Sequence, residues 1–177
     1  IIYVGQNFTA TVGCTGTPSL STIGVDLNCA GASVYTWNSV NLNQETIFNV
    51  PSNLATAGSC VLTTVSSSYY VQATSSSFSL EDVQLTFTKP TSQTFSPTDS
   101  IPILITASPI VGTGTSITAN LACPGSSYDS PISGLTIGSE TSEPIPSSAY
   151  GQCTLSVNSP PAGYIAPTPV VLYVKYS

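Results

Sequence analysis

Charge is scarce in this chain. Only 6% of its 177 residues are charged, against about 25% in ordinary soluble domains. The basic residues are Lys89 and Lys175 alone, and there is no Arg, His or Met. A net charge of −6 with so few cations leaves nothing to displace counterions from phosphate, which excludes nucleic acid as a partner. Anionic membranes are disfavoured for the same reason. Without His the commonest general base is missing. No nucleophile elbow, phosphate loop, metal-ligand spacing or placed carboxylate pair replaces it. The chain therefore reads as a non-enzyme, with no cofactor expected. Long apolar runs are lacking too: the longest, 101–112, is broken by Pro102 and Pro109 and falls short of the roughly 18 residues of a membrane span. A chain that starts at Ile1 rather than Met is expected to be an exported protein whose leader has been removed.

The shortage of charge bears on acid. Below about pH 3 most of the eight carboxylates would be protonated, leaving Lys89, Lys175 and the amino terminus as the only charges. Acid unfolding works through native carboxylate pairs and accumulated positive charge, and this chain has little of either. An acidic extracellular habitat and a neutral, glycosylated surface both fit this composition. Ion-pair networks are excluded as a source of heat stability.

What is present is β-branched and apolar. Hydrophobic residues make up 41%, enough for a folded core, and Ser and Thr fill the polar positions. The chain also repeats itself. Leu27-Asn28-Cys29-Ala30-Gly31 matches Leu121-Ala122-Cys123-Pro124-Gly125, and Gly58-Ser59-Cys60-Val61-Leu62 matches Gly151-Gln152-Cys153-Thr154-Leu155, at offsets of 94 and 93 residues. Two cysteine motifs at one offset mark a duplication. Each copy then holds one pair, Cys29 with Cys60 and Cys123 with Cys153, spanning 31 and 30 residues. These read as disulfides in an oxidising exterior, because two cysteines per copy without His make a poor zinc site.

Short β-rich runs, among them 61–65, 83–88, 101–106, 117–121 and 170–176, are separated by Gly, Pro, Asn and Ser. No helical period is sustained. This predicts an all-β protein of two tandem immunoglobulin-like or pilin-like β-sandwich domains, 1–80 and 81–177, with a boundary between Phe78 and Val83. The cysteine spacing is too short for the antibody disulfide, so Trp37 is not the immunoglobulin tryptophan.

Residues 1–12, IIYVGQNFTATV, alternate with period two. Ile2, Val4, Phe8, Ala10 and Val12 are expected to face inward and Asn7 outward on one strand about 40 Å long. Aligning the copies matches Phe8, Ala10 and Val12 to Ile101, Ile103 and Ile105. Domain two has a further strand ahead of that match, 83–88, and domain one has only residues 1–7. Domain one is thus short of a strand, which leaves a groove and an exposed edge. Residues 1–12 either pair inside their own domain or act as a donor strand for a neighbour's groove. Repeated donation is heterologous and builds a fibre.

Asn7-Phe8-Thr9 is the only glycosylation sequon, so Asn7 is the expected glycan site. Cys14 has no counterpart and reads as either a buried thiol or a bridge to another subunit. Lys89 and Lys175 are expected to be solvated rather than isopeptide-linked. Glu81, Asp82 and Asp99 follow no calcium-loop pattern. Tyr35 and Trp37 are packing residues or a sugar platform.

Two functions fit: a structural subunit polymerised by strand donation, and a surface-displayed adhesin, lectin-type or coat module. An exported, Ser/Thr-rich, charge-poor, two-domain β chain with an alternating N-terminal strand resembles the thread filament subunits of thermoacidophilic archaea. That resemblance implies a glycosylated extracellular filament on the cell surface. Its copies would join head to tail by donor strand complementation, as in bacterial type I pilins, with a role in adhesion or biofilm. The donor role falls on residues 1–12.

Overall fold

A computed structural model describes residues 1–18, 20–54, 57–109 and 114–176; the end of the apolar run 101–112 lies outside them. The described chain is all-β, and its one helical element is a single 3-10 turn, Pro124–Ser126. It forms two compact units, Ile1–Asp82 and Val83–Ser177, each a β-sandwich of two sheets.

Unit 1 contains β1 (Ile2–Tyr3), β2 (Asn7–Thr11), β3 (Thr22–Cys29), β4 (Ala32–Asn41), β5 (Glu45–Asn49), β6 (Gly58–Thr64) and β7 (Phe78–Glu81). Its larger sheet runs β1-β7-β6-β3-β4, and its smaller sheet is β2-β5. Strand β3 shows why the sequence folds this way: Ile23, Val25, Leu27 and Cys29 are buried and alternate with half-buried Thr22, Gly24, Asp26 and Asn28, which is the pattern of a central strand. The β3–β4 hairpin turns on Ala30 and Gly31, both at positive φ (54° and 82°), as a tight two-residue turn between right-twisted strands requires. The core joins both sheets: Val25, Val40 and Phe48 are buried together, with Phe8, Ala10, Val12, Trp37 and Leu62 packed against them.

Unit 2 contains β8 (Val83–Lys89), β9 (Thr94–Phe95), β10 (Ser100–Ser108), β11 (Ser116–Cys123), β12 (Tyr128–Thr136), β13 (Thr141–Pro144), β14 (Gly151–Ser156), β15 (Tyr164–Ile165) and β16 (Val170–Val174). One sheet runs β12-β11-β14-β16-β9 and the other β13-β10-β8-β15. The five-stranded sheets of the two units correspond strand for strand, down to the parallel pairs β1–β7 and β9–β16 at one edge. Both expected disulfides are formed. Cys29 and Cys60 are opposite residues on β3 and β6, so the bridge ties neighbouring strands of one sheet rather than crossing the sandwich.

The single long strand expected over residues 1–12 is corrected to two. Residues 4–5 form a turn between β1 and β2, with Gly5 at φ 76°, a value that a residue with a Cβ rarely adopts. Strand β1 pairs with β7 in the larger sheet, and β2 pairs with β5 in the smaller one.

Candidate functional site

The two units differ at one place. In unit 2, β10 has a neighbour on each side: β13, and β8 followed by β15. Its inward residues Ile101, Ile103 and Ile105 are 0%, 1% and 2% exposed. In unit 1 the counterpart of β10 is β2, whose inward residues Phe8, Ala10 and Val12 are only half-buried. Strand β5 covers one edge of β2, from Asn7 opposite Asn49 to Thr11 opposite Glu45. Along the other edge, no strand pairs with β2 among the described residues.

That edge opens into a groove made of two adjoining cavities of about 380 and 210 Å³. Residues 10–15 form one bank and residues 69–75 the other. Leu62, Phe48 and Val25 lie at its floor. Both banks are held from behind. Asn43 N–H donates to the Val12 carbonyl at 2.8 Å, and Cys14 N–H donates to Asn43 Oδ1 at 2.7 Å. On the far bank, Thr64 N–H donates to the Ala73 carbonyl and Ser75 N–H to the Leu62 carbonyl, at 2.9 and 2.8 Å. Tyr70 is fastened through its hydroxyl to Leu20. Val71, beside it, is 95% exposed. Leu62 is half-buried, whereas its counterpart Leu155 is fully buried. The groove therefore has an apolar floor in its smaller cavity and is flanked by exposed large hydrophobics, among them Tyr69 and Val71.

The residues singled out from the sequence fall as follows. Val4 is fully buried, and Ile2 lies opposite Leu80. Phe8 stacks on Phe48 with ring centroids 5.2 Å apart. In the single chain the N-terminal segment, with Ile2, Val4, Phe8, Ala10 and Val12, is seated in its own unit, and β2 forms a wall of the groove. Asn7 is exposed on β2. Cys14 is unbridged and half-buried on the groove bank. Tyr35 and Trp37 meet edge to face at 74° and share no flat surface for a sugar ring, and Trp37 is turned into the Phe8–Phe48 cluster. No group of three or more His, Cys, Asp or Glu is arranged for a metal among the described residues. The far bank, 69–75, is the part that sequence reasoning missed.

Lys89 and Glu140 form the one ion pair among the described residues, at 2.8 Å, with side chains 42% and 47% exposed. Such a pair contributes about 0–1 kcal/mol. Three further carboxylates, on Asp26, Asp99 and Asp129, accept hydrogen bonds from uncharged donors. Charge pairing is thus sparse among the described residues, and with two lysines in the chain the positive charge that accumulates in acid is small. The β-sheet circular dichroism spectrum is expected to survive from pH 7 to pH 2. Loss of the sheet signal above pH 2.5 would show that a carboxylate network matters more than the geometry implies.

No protein family profile and no curated protein matches this chain. A solved structure of fibronectin(III)-like modules of Clostridium thermocellum CbhA is similar at a TM-score of 0.30 and 11% identity, over 99% of this chain and 88% of that one. A likeness of that size is too low to carry a conclusion about either fold or function. No helix among the described residues is long and apolar enough to cross a membrane.

Proposed function

We propose that this chain is a structural subunit of an extracellular filament. Copies join head to tail when a strand of one lies in the unit 1 groove of the next. One observation carries this reading: among the described residues β2 lacks, on its groove edge, the partner that β8 gives β10. An open sheet edge above an apolar floor favours capture of a strand. Because the incoming strand belongs to another molecule and the groove is distinct from the strand's own site, the contact does not close on itself, so repetition extends it into a fibre. The two disulfides fit the oxidising exterior, and exposed Asn7 is available to carry a glycan there.

Negative-stain microscopy of the purified chain at rising concentration tests this, and unbranched fibres are expected. Val12→Asp places a carboxylate on the wall of a groove whose lining residues include no Lys or Arg, and burying it under a strand costs several kcal/mol. Fibre mass is expected to fall by about tenfold or more while the monomer keeps its β-sheet spectrum. A strictly monomeric wild-type chain would overturn the filament, and undiminished fibres from Val12→Asp would remove the groove as the joint.

A further inference from the structure

The groove has an occupied twin in the same molecule, and the twin defines what fits. In unit 2, β8 lies antiparallel to β10, with Phe87 opposite Ile105, Thr86 opposite Thr106, Leu85 opposite Ala107 and Gln84 opposite Ser108. On its other side it runs parallel to β15, with Val83 opposite Tyr164. Val83 and Leu85 are 0% and 1% exposed, Phe87 is half-buried, and Gln84, Thr86 and Thr88 point outward. The offset that aligns β2 with β10 carries Ile105, Thr106, Ala107 and Ser108 onto Val12, Gly13, Cys14 and Thr15. All four of these line the larger cavity. The 94-residue offset of the first cysteine motifs carries Tyr164 and Ile165 onto Tyr70 and Val71, which line the same cavity from the opposite bank. These positions of β10 and β15, which pair with β8 in unit 2, thus have counterparts that line the unit 1 groove.

We infer that the unit 1 groove takes a strand of a second copy that follows the β8 pattern, with large apolar residues at three alternate positions and small hydroxyl or amide residues between them. It runs antiparallel to β2 and parallel to residues 70–71. Its aromatic position lies opposite Val12 and its central aliphatic position opposite Cys14. The groove therefore reads register as well as hydrophobicity. A slip by one residue would turn all three apolar side chains to solvent, and acidic or basic residues at those positions would be buried without a partner. This deepens the filament reading by naming the strand's chemistry, and it rests on that reading only for the strand's source.

The test uses the intact chain and a capped synthetic peptide of residues 83–89. Labelled peptide is expected to bind, and Val12→Asp is expected to weaken binding by about tenfold or more. Register is read on the unaltered chain by thiol exchange. A Leu85→Cys peptide, activated as its mixed disulfide with thionitrobenzoate, is attacked by the Cys14 thiolate; a peptide–Cys14 disulfide forms and thionitrobenzoate leaves. The Thr86→Cys peptide presents its sulfur on the opposite face and is expected to react at least about tenfold more slowly. Failure of the peptide to bind, or equal reaction of both peptides, overturns the inference. Fibres that form while the peptide neither binds nor inhibits them would overturn the register but leave the filament standing. Peptide binding without fibres would do the reverse.

Discussion

Replacing Phe48 by Ala should remove about 3–5 kcal/mol from unit 1, the usual cost of truncating a fully buried aromatic residue. Phe48 is 0% exposed. It stacks on Phe8 and meets Trp37 edge to face at 5.0 Å, and aromatic pairs add about 0.5–1.5 kcal/mol each beyond their buried area. Its position makes the loss hard to relieve. The side chain fills the space between β2-β5 and the larger sheet and also closes the groove floor, so the cavity would open into the groove rather than collapse. A unit of about 80 residues has roughly 4–12 kcal/mol in total, and Phe48→Ala would take a large share of it. The chain supplies its own probe: Trp37 is the only tryptophan and lies against Phe48. Urea unfolding followed by tryptophan fluorescence should move to a much lower midpoint with an unchanged slope, while Phe48→Leu should cost less than half as much. A midpoint that barely moves would mean that the smaller sheet contributes little to the stability of unit 1.

The second large effect concerns the Cys29–Cys60 bridge. It closes a loop of 31 residues, for which the chain-entropy account gives about 3–4 kcal/mol. In a domain of this size each kcal/mol shifts the melting temperature by about 4–8 °C. The double variant Cys29→Ala, Cys60→Ala is therefore expected to lower the unit 1 transition by roughly 12–30 °C in calorimetry. Unit 2, with its own bridge from Cys123 to Cys153 and a complete second sheet, should keep its transition. The equivalent change in unit 2 should be better tolerated, because fully buried Ile101, Ile103, Ile105 and Leu155 remain to hold it. Equal shifts in both units would contradict the view that unit 1 is the less complete sandwich.

The all-β class and both disulfides were legible because they rest on local, repeated signals: period-two runs, and cysteine motifs recurring at one offset. Alignment of the copies also exposed the shortage of a strand in unit 1, since Val83–Lys89 has no match there. The break within residues 1–12 was harder to read. Phe8, Ala10 and Val12 continue the alternation of Ile2 and Val4, but Gly5 takes a positive φ, and that turn passes the chain from one sheet to the other. Alternation reports which face a residue takes, not which strand lies beside it; the pairing of β2 with β5 is set by Phe8 stacking on Phe48, some forty residues apart. The far bank was hidden for a different reason. Tyr69-Tyr70-Val71 lies between serine runs 66–68 and 75–77 that read as loop, and only the hydrogen bonds of residues 73–75 to β6 bring it alongside residues 10–15.

Both bridges tie neighbouring strands of a single sheet, and this matters when the molecule is stretched. If unit 1 is pulled apart from its ends, an unbridged chain could lengthen by about 3.3–3.6 Å for every residue released. The bond between Cys29 and Cys60 withholds the 31 residues it spans, roughly 100 Å of slack, and Cys123–Cys153 withholds a similar length in unit 2. Under tension each unit can give way only as far as its bridge allows, leaving a short tether in place of a fully drawn-out chain.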